Sequence, residues 1–330
     1  MTDRIKKLHS LKGDAIMRLA ILDDYEGTAL KFGDWGSLGP EIQTDSYRDH
    51  LEKEDDLVKR FFPYDILVVM RERTPFPRSL IEKLPNLKLL VTTGPKNSAI
   101  DTAACKAKGI VVSGTHSSKK PPAELTWGLI LSLFRKIPQL DRSTRNGRWG
   151  EGIGISLDGK VLGLLGLGHV GTLVAKVGAA FNMRVVAWSQ NLTAERAAAA
   201  GAVRVEKDEL FKTADVLSVH LVLSERTRGL IGAPEIGLMK PSAYIINTSR
   251  GPIIQEKELV EALRSGRIAG AGLDVFETEP LPPGHPLLSL PNVLITPHIG
   301  YVTAENFKTY FSQAVENVAA WRKGTPVRTL

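Results

Sequence analysis

Three glycines, Gly166, Gly168 and Gly171, form a G-x-G-x-x-G pattern in KVLGLLGLGHVG. An apolar run precedes it and a helical segment reaching Phe181 follows, opened by His169 and Val170. The glycines serve distinct ends, one making a tight turn, one letting backbone approach a pyrophosphate, and one letting helix pack closely on strand. The N–H groups at the helix start, with the helix dipole, then hold phosphate. A second strand over 184–188 falls where a βαβ unit requires it, so the pattern reads as a dinucleotide site. The acid expected about 20 residues on, for the ribose hydroxyls, is missing. Trp188 is followed by Ser189, Gln190, Asn191 and Thr193. A carboxylate at 189 would repel a 2′-phosphate, whereas hydroxyl and amide groups can donate to one. NADP is therefore expected to be accepted alongside NAD, although no arginine lies inside this loop.

Three later segments share one form, a strand ending in polar residues. Strand 243–247 runs into Thr248-Ser249-Arg250-Gly251, strand 269–275 into Phe276-Glu277-Thr278-Glu279-Pro280, and strand 293–296 into Pro297-His298-Ile299-Gly300. A guanidinium offers a rigid fork to a carboxylate or carbonyl oxygen. An imidazole gives and takes protons near neutrality, and a nearby carboxylate favours its protonated form. Ligands of open parallel sheets sit at the carboxyl ends of the strands. The fold is thus expected to bring an arginine, an acidic pair and a histidine to one sheet edge.

What must position these groups is an alternation of short apolar strands and helices. Runs 18–22, 65–70, 87–92 and 109–112 read as strands, and 77–84 and 101–108 as helices. Such alternation gives βα units and parallel sheets, and runs as continuously apolar as ILVVM suit a sheet covered on both faces. Pro121-Pro122 precedes a helix expected over 123–136, a connector between two domains, and Pro138 marks its kink or end. The fold class is α/β, with two doubly wound parallel sheets.

The stretches GLLGLGHVG, INTSRGPII, AGLDVFETEPL and LPNVLITPHIG, with VTTGPKNSAIDTAACKAKGIVV and AELTWGLILSLFRKIP upstream, resemble the D-isomer-specific 2-hydroxyacid dehydrogenase family. The resemblance spans nearly all of 17–330 and implies a Rossmann-type cofactor domain over 118–302. It also implies a flavodoxin-like substrate domain from 17–117 plus 303–330, a cleft closing over substrate, and a homodimer. It implies reversible reduction of a small anionic 2-keto acid to a D-2-hydroxy acid. In that scheme Arg250 holds and polarises the keto acid, His298 is the proton donor and acceptor, and Glu279 pairs with His298, while Glu277 stays a solvated acid. Asp274 would meet the nicotinamide carboxamide. His220, Thr227, Thr248, Ser249 and Gly300 would also face the cofactor, although Val222 replaces the proline usual two residues after that histidine. Thr93, Gly94, Pro95 and Lys96 would bind the substrate carboxylate through backbone N–H groups, with Pro95-Lys96 where a second glycine is usual, and Arg71 and Arg73 would face the same region. Some relatives of this fold act as NAD-sensing transcriptional corepressors, the alternative reading.

The 330 residues suffice for about two domains, and 43% hydrophobic with 24% charged residues is the make-up of a folded protein. The longest apolar stretch, 125–134, is too short and too diluted for a membrane span. Cys105 is the only cysteine, which permits no internal disulfide and fits a cytoplasmic location. The 7 histidines lie outside metal-binding contexts, so no metal is expected. The net charge of +7 comes from scattered basic residues. That suits a field attracting small anions better than nucleic-acid binding. Lys96, Arg73, His116, Lys119 and Lys120 read first as solvated surface charges, with a basic cleft favouring a second anionic group as the alternative. Residues 1–16 lack an apolar core and read as a flexible arm rather than a signal peptide.

Overall fold

The computed structural model describes residues 16–330, so all but the last residue of the expected arm lies outside the described residues. The described chain forms two compact units, one of residues up to Ser118 with Thr303–Leu330, the other Lys119–Val302.

The first unit carries a parallel sheet of β1 (Met17–Ile21), β2 (Ile42–Ser46), β3 (Ile66–Val69), β4 (Leu89–Thr92) and β5 (Val111–Ser113), in the order β2-β1-β3-β4-β5. This is the flavodoxin-like order. Strands β3 and β4, ILVV and LLVT, are buried at every position, as a sheet covered on both faces requires. The edge strand β2, IQTDS, pairs with β1 and buries only Ile42. The helix Ala304–Arg322 belongs to this unit: Phe307 meets Phe32, Phe311 meets Trp35, and Tyr310 and Val318 are buried. Beyond it, Gly114 donates to Arg328 and Leu330 donates to Val112, extending β5 with an antiparallel bridge, Ser113 to Thr329.

The second unit contains β6 (Val161–Leu165), β7 (Arg184–Trp188), β8 (Val203–Arg204), β9 (Val216–Val219), β10 (Tyr244–Asn247), β11 (Gly270–Leu273) and β12 (Val293–Ile295). Their order is β12-β11-β10-β9-β6-β7-β8, all parallel. The sheet grows outward from β6 in one direction and then, from β9, in the other, which is the dinucleotide-binding winding with its switch point between β6 and β9. The helix Lys120–Phe134 holds both prolines in its first turn and buries Ala123, Trp127, Ile130 and Phe134, a 4-3-4 spacing along one face. Pro138 does not end that helix. The break lies at Lys136, at φ 53°, and Pro138 sits in the first turn of a second helix, Ile137–Arg145, where its missing N–H costs nothing. Among the described residues no helix is long and apolar enough to cross a membrane, and no group of three or more His, Cys, Asp or Glu side chains is arranged to hold a metal.

Candidate active site

The glycine turn closes β6, and its three glycines differ in what they meet. Gly166 lies at φ 103°, and a Cβ there would stand 2.7 Å from the carbonyl oxygen of His220. A Cβ on Gly171 would meet the Gly166 carbonyl oxygen at 2.3 Å. At Gly168 nothing lies within 4 Å. Two glycines are thus demanded by packing, and the third leaves open space over the start of the helix His169–Ala180, a cradle that fits a pyrophosphate. His220, at the end of β9, donates its N–H to Leu165 and pairs its Nε2 with the Ser218 hydroxyl at 2.8 Å. Burial pushes its imidazole down to about 4, so it is neutral at neutral pH.

After β7, Ser189 is half-buried and Gln190 and Asn191 are exposed. Arginines do reach this loop, from outside it. Arg196 donates to the Asn191 carbonyl at 3.4 Å and Arg204 to the Leu192 carbonyl at 3.0 Å. Arg204 is paired with Glu206, whereas among the described residues no carboxylate lies within 4.0 Å of the Arg196 guanidinium.

Strands β10, β11 and β12 are neighbours, so the three polar turns lie side by side at one sheet edge. The buried Asn247 shapes the first: its side chain accepts from the Ser249 N–H and donates to the Arg250 carbonyl, both at 3.0 Å. The Thr248 hydroxyl bonds that of Thr126 at 2.7 Å, and the Ser249 hydroxyl donates to the Leu221 carbonyl. Those two hydroxyls anchor the turn that presents Arg250. Thr227 likewise folds back, donating to the Val222 carbonyl at 2.7 Å.

The third turn places His298 at φ 53°, a conformation costing a non-glycine residue about 1–3 kcal/mol unless its surroundings hold it. Asp274, 1% exposed, does so. Its Oδ1 accepts from the Thr296 hydroxyl at 2.6 Å and the Ile299 N–H at 2.8 Å, and its Oδ2 from the Gly300 N–H at 2.9 Å. Burial pushes this carboxyl up against those donors. His298 Nδ1 and Glu279 Oε2 are 2.5 Å apart, and the other oxygen of Glu279 accepts from the Phe276 N–H. A carboxylate at Nδ1 fixes the proton there and leaves Nε2 for other chemistry. The ring of His298 also stands edge-on to Tyr301, centroids 5.6 Å apart. Glu277 is exposed and takes no part in this pairing.

In the first unit, the loops after β3 and β4 lie beside each other, and Thr93 accepts from the Arg71 N–H at 2.9 Å. The expectation of a carboxylate held by the N–H groups of 93–96 needs correction. Thr93 donates its N–H to Val69 and Gly94 donates to Thr115, while Pro95 has none. Only Lys96, exposed, and the residues after it remain. Gly94 sits at φ 98°, a backbone conformation that strains any residue with a Cβ, and the Arg71 guanidinium packs over it. Arg73 does not face outward for substrate: its side chain is 8% exposed, donates to the Asp23 carbonyl, pairs with Glu26 and stacks on Tyr25 at 4.2 Å. It secures the loop after β1.

Residues 127–300 match the model of the D-isomer specific 2-hydroxyacid dehydrogenase, NAD binding domain. A hydroxypyruvate reductase from Thermotoga maritima is 40% identical over 275 residues, covering 82% of this chain and 88% of that protein. The chain belongs to the D-isomer-specific 2-hydroxyacid dehydrogenase family. A D-3-phosphoglycerate dehydrogenase from Methanocaldococcus jannaschii is also 40% identical over 82% of this chain, but the chain spans only 52% of that relative's length. The crystal structure of a phosphoglycerate oxidoreductase from Vibrio cholerae superposes with a TM-score of 0.88 at 36% identity, covering 93% of this chain and 99% of that one. All three relatives carry the names of oxidoreductases, not of corepressors.

As a 2-hydroxyacid dehydrogenase domain, the second unit also contains groups that sequence reading missed. Asn247 and Thr126 are invisible as site residues because their partners are set by strand register and by a helix 122 positions away. The arginines at the ribose loop come from the next helix and strand, beyond the window in which a fingerprint acid is sought.

Proposed function

We propose that the protein catalyses NAD(P)-dependent interconversion of a small 2-keto acid and the D-2-hydroxy acid. The observation that carries this is the short His298–Glu279 pair on the turn next to Arg250, in a domain that also holds the glycine cradle. Gly166, Gly168, Gly171 and the start of His169–Ala180 would hold the pyrophosphate. The nicotinamide, when bound, supplies or takes the hydride. In the reductive direction Arg250 holds the keto acid by its carboxylate and polarises the carbonyl. His298 gives its Nε2 proton to the developing alkoxide, and Glu279 at Nδ1 balances the imidazolium and fixes the ring. Oxidation reverses these roles. Asp274 keeps one lone pair on Oδ2 for the carboxamide while holding the His298 turn. The names of the relatives make hydroxypyruvate, glyoxylate and 3-phosphohydroxypyruvate the substrates to test.

NADPH is accepted at least as well as NADH on this reading. Ser189 and Asn191 supply donors where an acid would repel the 2′-phosphate, and Arg196, with no carboxylate within 4.0 Å among the described residues, adds a positive charge at the same loop. We also infer a homodimer. Trp149 and Ile153, in the segment after the Ile137–Arg145 helix, are 89% and 88% exposed, and a second copy covering them would remove that apolar surface from water. Sedimentation of wild type and Trp149→Ser tests this, and a monomeric wild type refutes it. The reaction itself is tested by following NADH and NADPH oxidation with that panel. Turnover of none of them, by protein that binds the cofactor, would refute the assignment.

A further inference from the structure

The loop that carries Glu279 is poor in self-made hydrogen bonds. Pro280, Pro282, Pro283 and Pro286 have no N–H to give. One of its anchors is a carboxylate from elsewhere. Glu256 opens the helix Glu256–Arg264. Its Oε1 is 3.0 Å from His285 Nε2, and its Oε2 accepts from the Glu277 N–H at 3.2 Å. These two contacts flank Glu279 on both sides. His285 Nδ1 accepts from the Leu287 N–H at 3.3 Å, so Nδ1 is unprotonated and Nε2 carries the proton given to Glu256. Both side chains are more than four-fifths buried, at 17% and 16% exposure.

The same helix follows directly on the Gly251–Ile253 turn that begins at Arg250. A Cβ on Gly251 would stand 2.0 Å from the Phe276 carbonyl carbon and oxygen. The backbone of the Arg250 turn therefore lies against the first residue of the Glu279 loop. Gly251 on Phe276 makes one fixed point and Glu256 on Glu277 and His285 makes the second. Two points are needed to stop a loop from pivoting.

We propose that Glu256 and His285 are positioning residues that keep Glu279 within reach of His298 and hold its loop in register with the Arg250 turn. This rests on the proposed roles of Glu279 and His298. Neither Glu256 nor His285 touches the reacting atoms; they act through Glu279. A mere fold-stabilising pair would change unfolding but leave the His298–Glu279 bond intact.

The test uses full-length wild type, Glu256→Ala, His285→Asn and Glu279→Gln. His285→Asn keeps an acceptor for the Leu287 N–H but cannot reach Glu256, so it isolates the clamp if Glu256→Ala fails to fold. With 15N-labelled histidine, the His298 Nδ1 proton, assigned by its loss in His298→Ala, is expected downfield in wild type. It should move upfield in both clamp variants while circular dichroism and the Kd for NADH are unchanged. The kcat should fall roughly 10- to 100-fold, as for a displaced catalytic group, with KM little altered. Adding Glu256→Ala to Glu279→Gln should cost nothing further. An unmoved resonance in folded variants, or losses that add in full, would overturn the proposal. If the resonance moves but even wild type turns over none of the 2-keto acids, the clamp stands and the reading of the reaction fails.

Discussion

Replacing Asp274 by asparagine changes one atom and removes one hydrogen bond. With the amide oxygen in place of Oδ1, the bonds from the Thr296 hydroxyl and the Ile299 N–H survive. The new NH2 then faces the Gly300 N–H, donor against donor. A lost hydrogen bond to a charged group costs about 1.5–3 kcal/mol, and a buried N–H left unpaired about 1–3 kcal/mol more. Relief of the buried charge, which already pushes this carboxyl up, offsets part of that. The expected net destabilisation is about 2–3 kcal/mol. The functional effect should be larger than that of an equal loss elsewhere, because His298 sits at φ 53° and these bonds hold it there. A ring displaced by about 1 Å can cost about 100-fold in rate. Urea denaturation followed by tryptophan fluorescence gives the first quantity, and kcat at saturating keto acid and cofactor gives the second. Thr296→Val, which removes one donor only, should lie between wild type and Asp274→Asn in both. An Asp274→Asn protein within about 0.5 kcal/mol of wild type and within about twofold in kcat would refute the idea that this carboxylate holds the turn.

Removing the imidazole, as His298→Ala, should leave cofactor binding intact and lower kcat roughly 10²–10⁴-fold in steady-state assays. Ser189→Asp should shift the NADPH to NADH ratio of kcat/KM toward NADH by about ten- to a hundredfold, for a polar contact of about 1–3 kcal/mol. An unchanged ratio would place cofactor choice elsewhere. His220 predicts an acid-side loss of stability. Above its ordinary value of 6.5 both folded and unfolded chains carry it neutral, but between there and about 4 only the unfolded chain takes up the proton. Stability should fall across that window by at most about 3 kcal/mol, and His220→Gln should flatten the slope in denaturant titrations at several pH values.

The elements that could be read from the sequence were those whose signal is local. Strand β7 was expected over 184–188 and forms over Arg184–Trp188, and the glycine turn lies between β6 and its helix. Strand β2 was not foreseen, because IQTDS carries one buried apolar residue and depends on β1 for its pairing. The Ile137–Arg145 helix was missed because a proline in a first turn looks, in sequence, like a proline that ends a helix. In the site, residue types marked Arg250, Glu279 and His298, but which N–H groups are already engaged could not be read. Gly94 is answered by Thr115, 21 residues on, and Glu256 by His285, 29 residues on. Both contacts exist only after the strands are in register.

The return of Ala304–Arg322 to the first unit sets an order for synthesis. The second unit is wholly encoded by Lys119–Val302 and can fold as soon as that stretch has left the ribosome. The first unit, although made first, then lacks Phe307, Tyr310 and Phe311 against Phe32 and Trp35, and lacks the bridge that caps β5. Its apolar surface stays open while about 180 further residues are translated, roughly 10–40 s at about 5–20 residues per second. The nascent chain is thus most exposed to aggregation and chaperone capture in its N-terminal part. A chain cut after residue 302 and tethered to a stalled ribosome by an unstructured linker long enough to fill the exit tunnel should carry a protease-resistant second unit and a protease-sensitive first one.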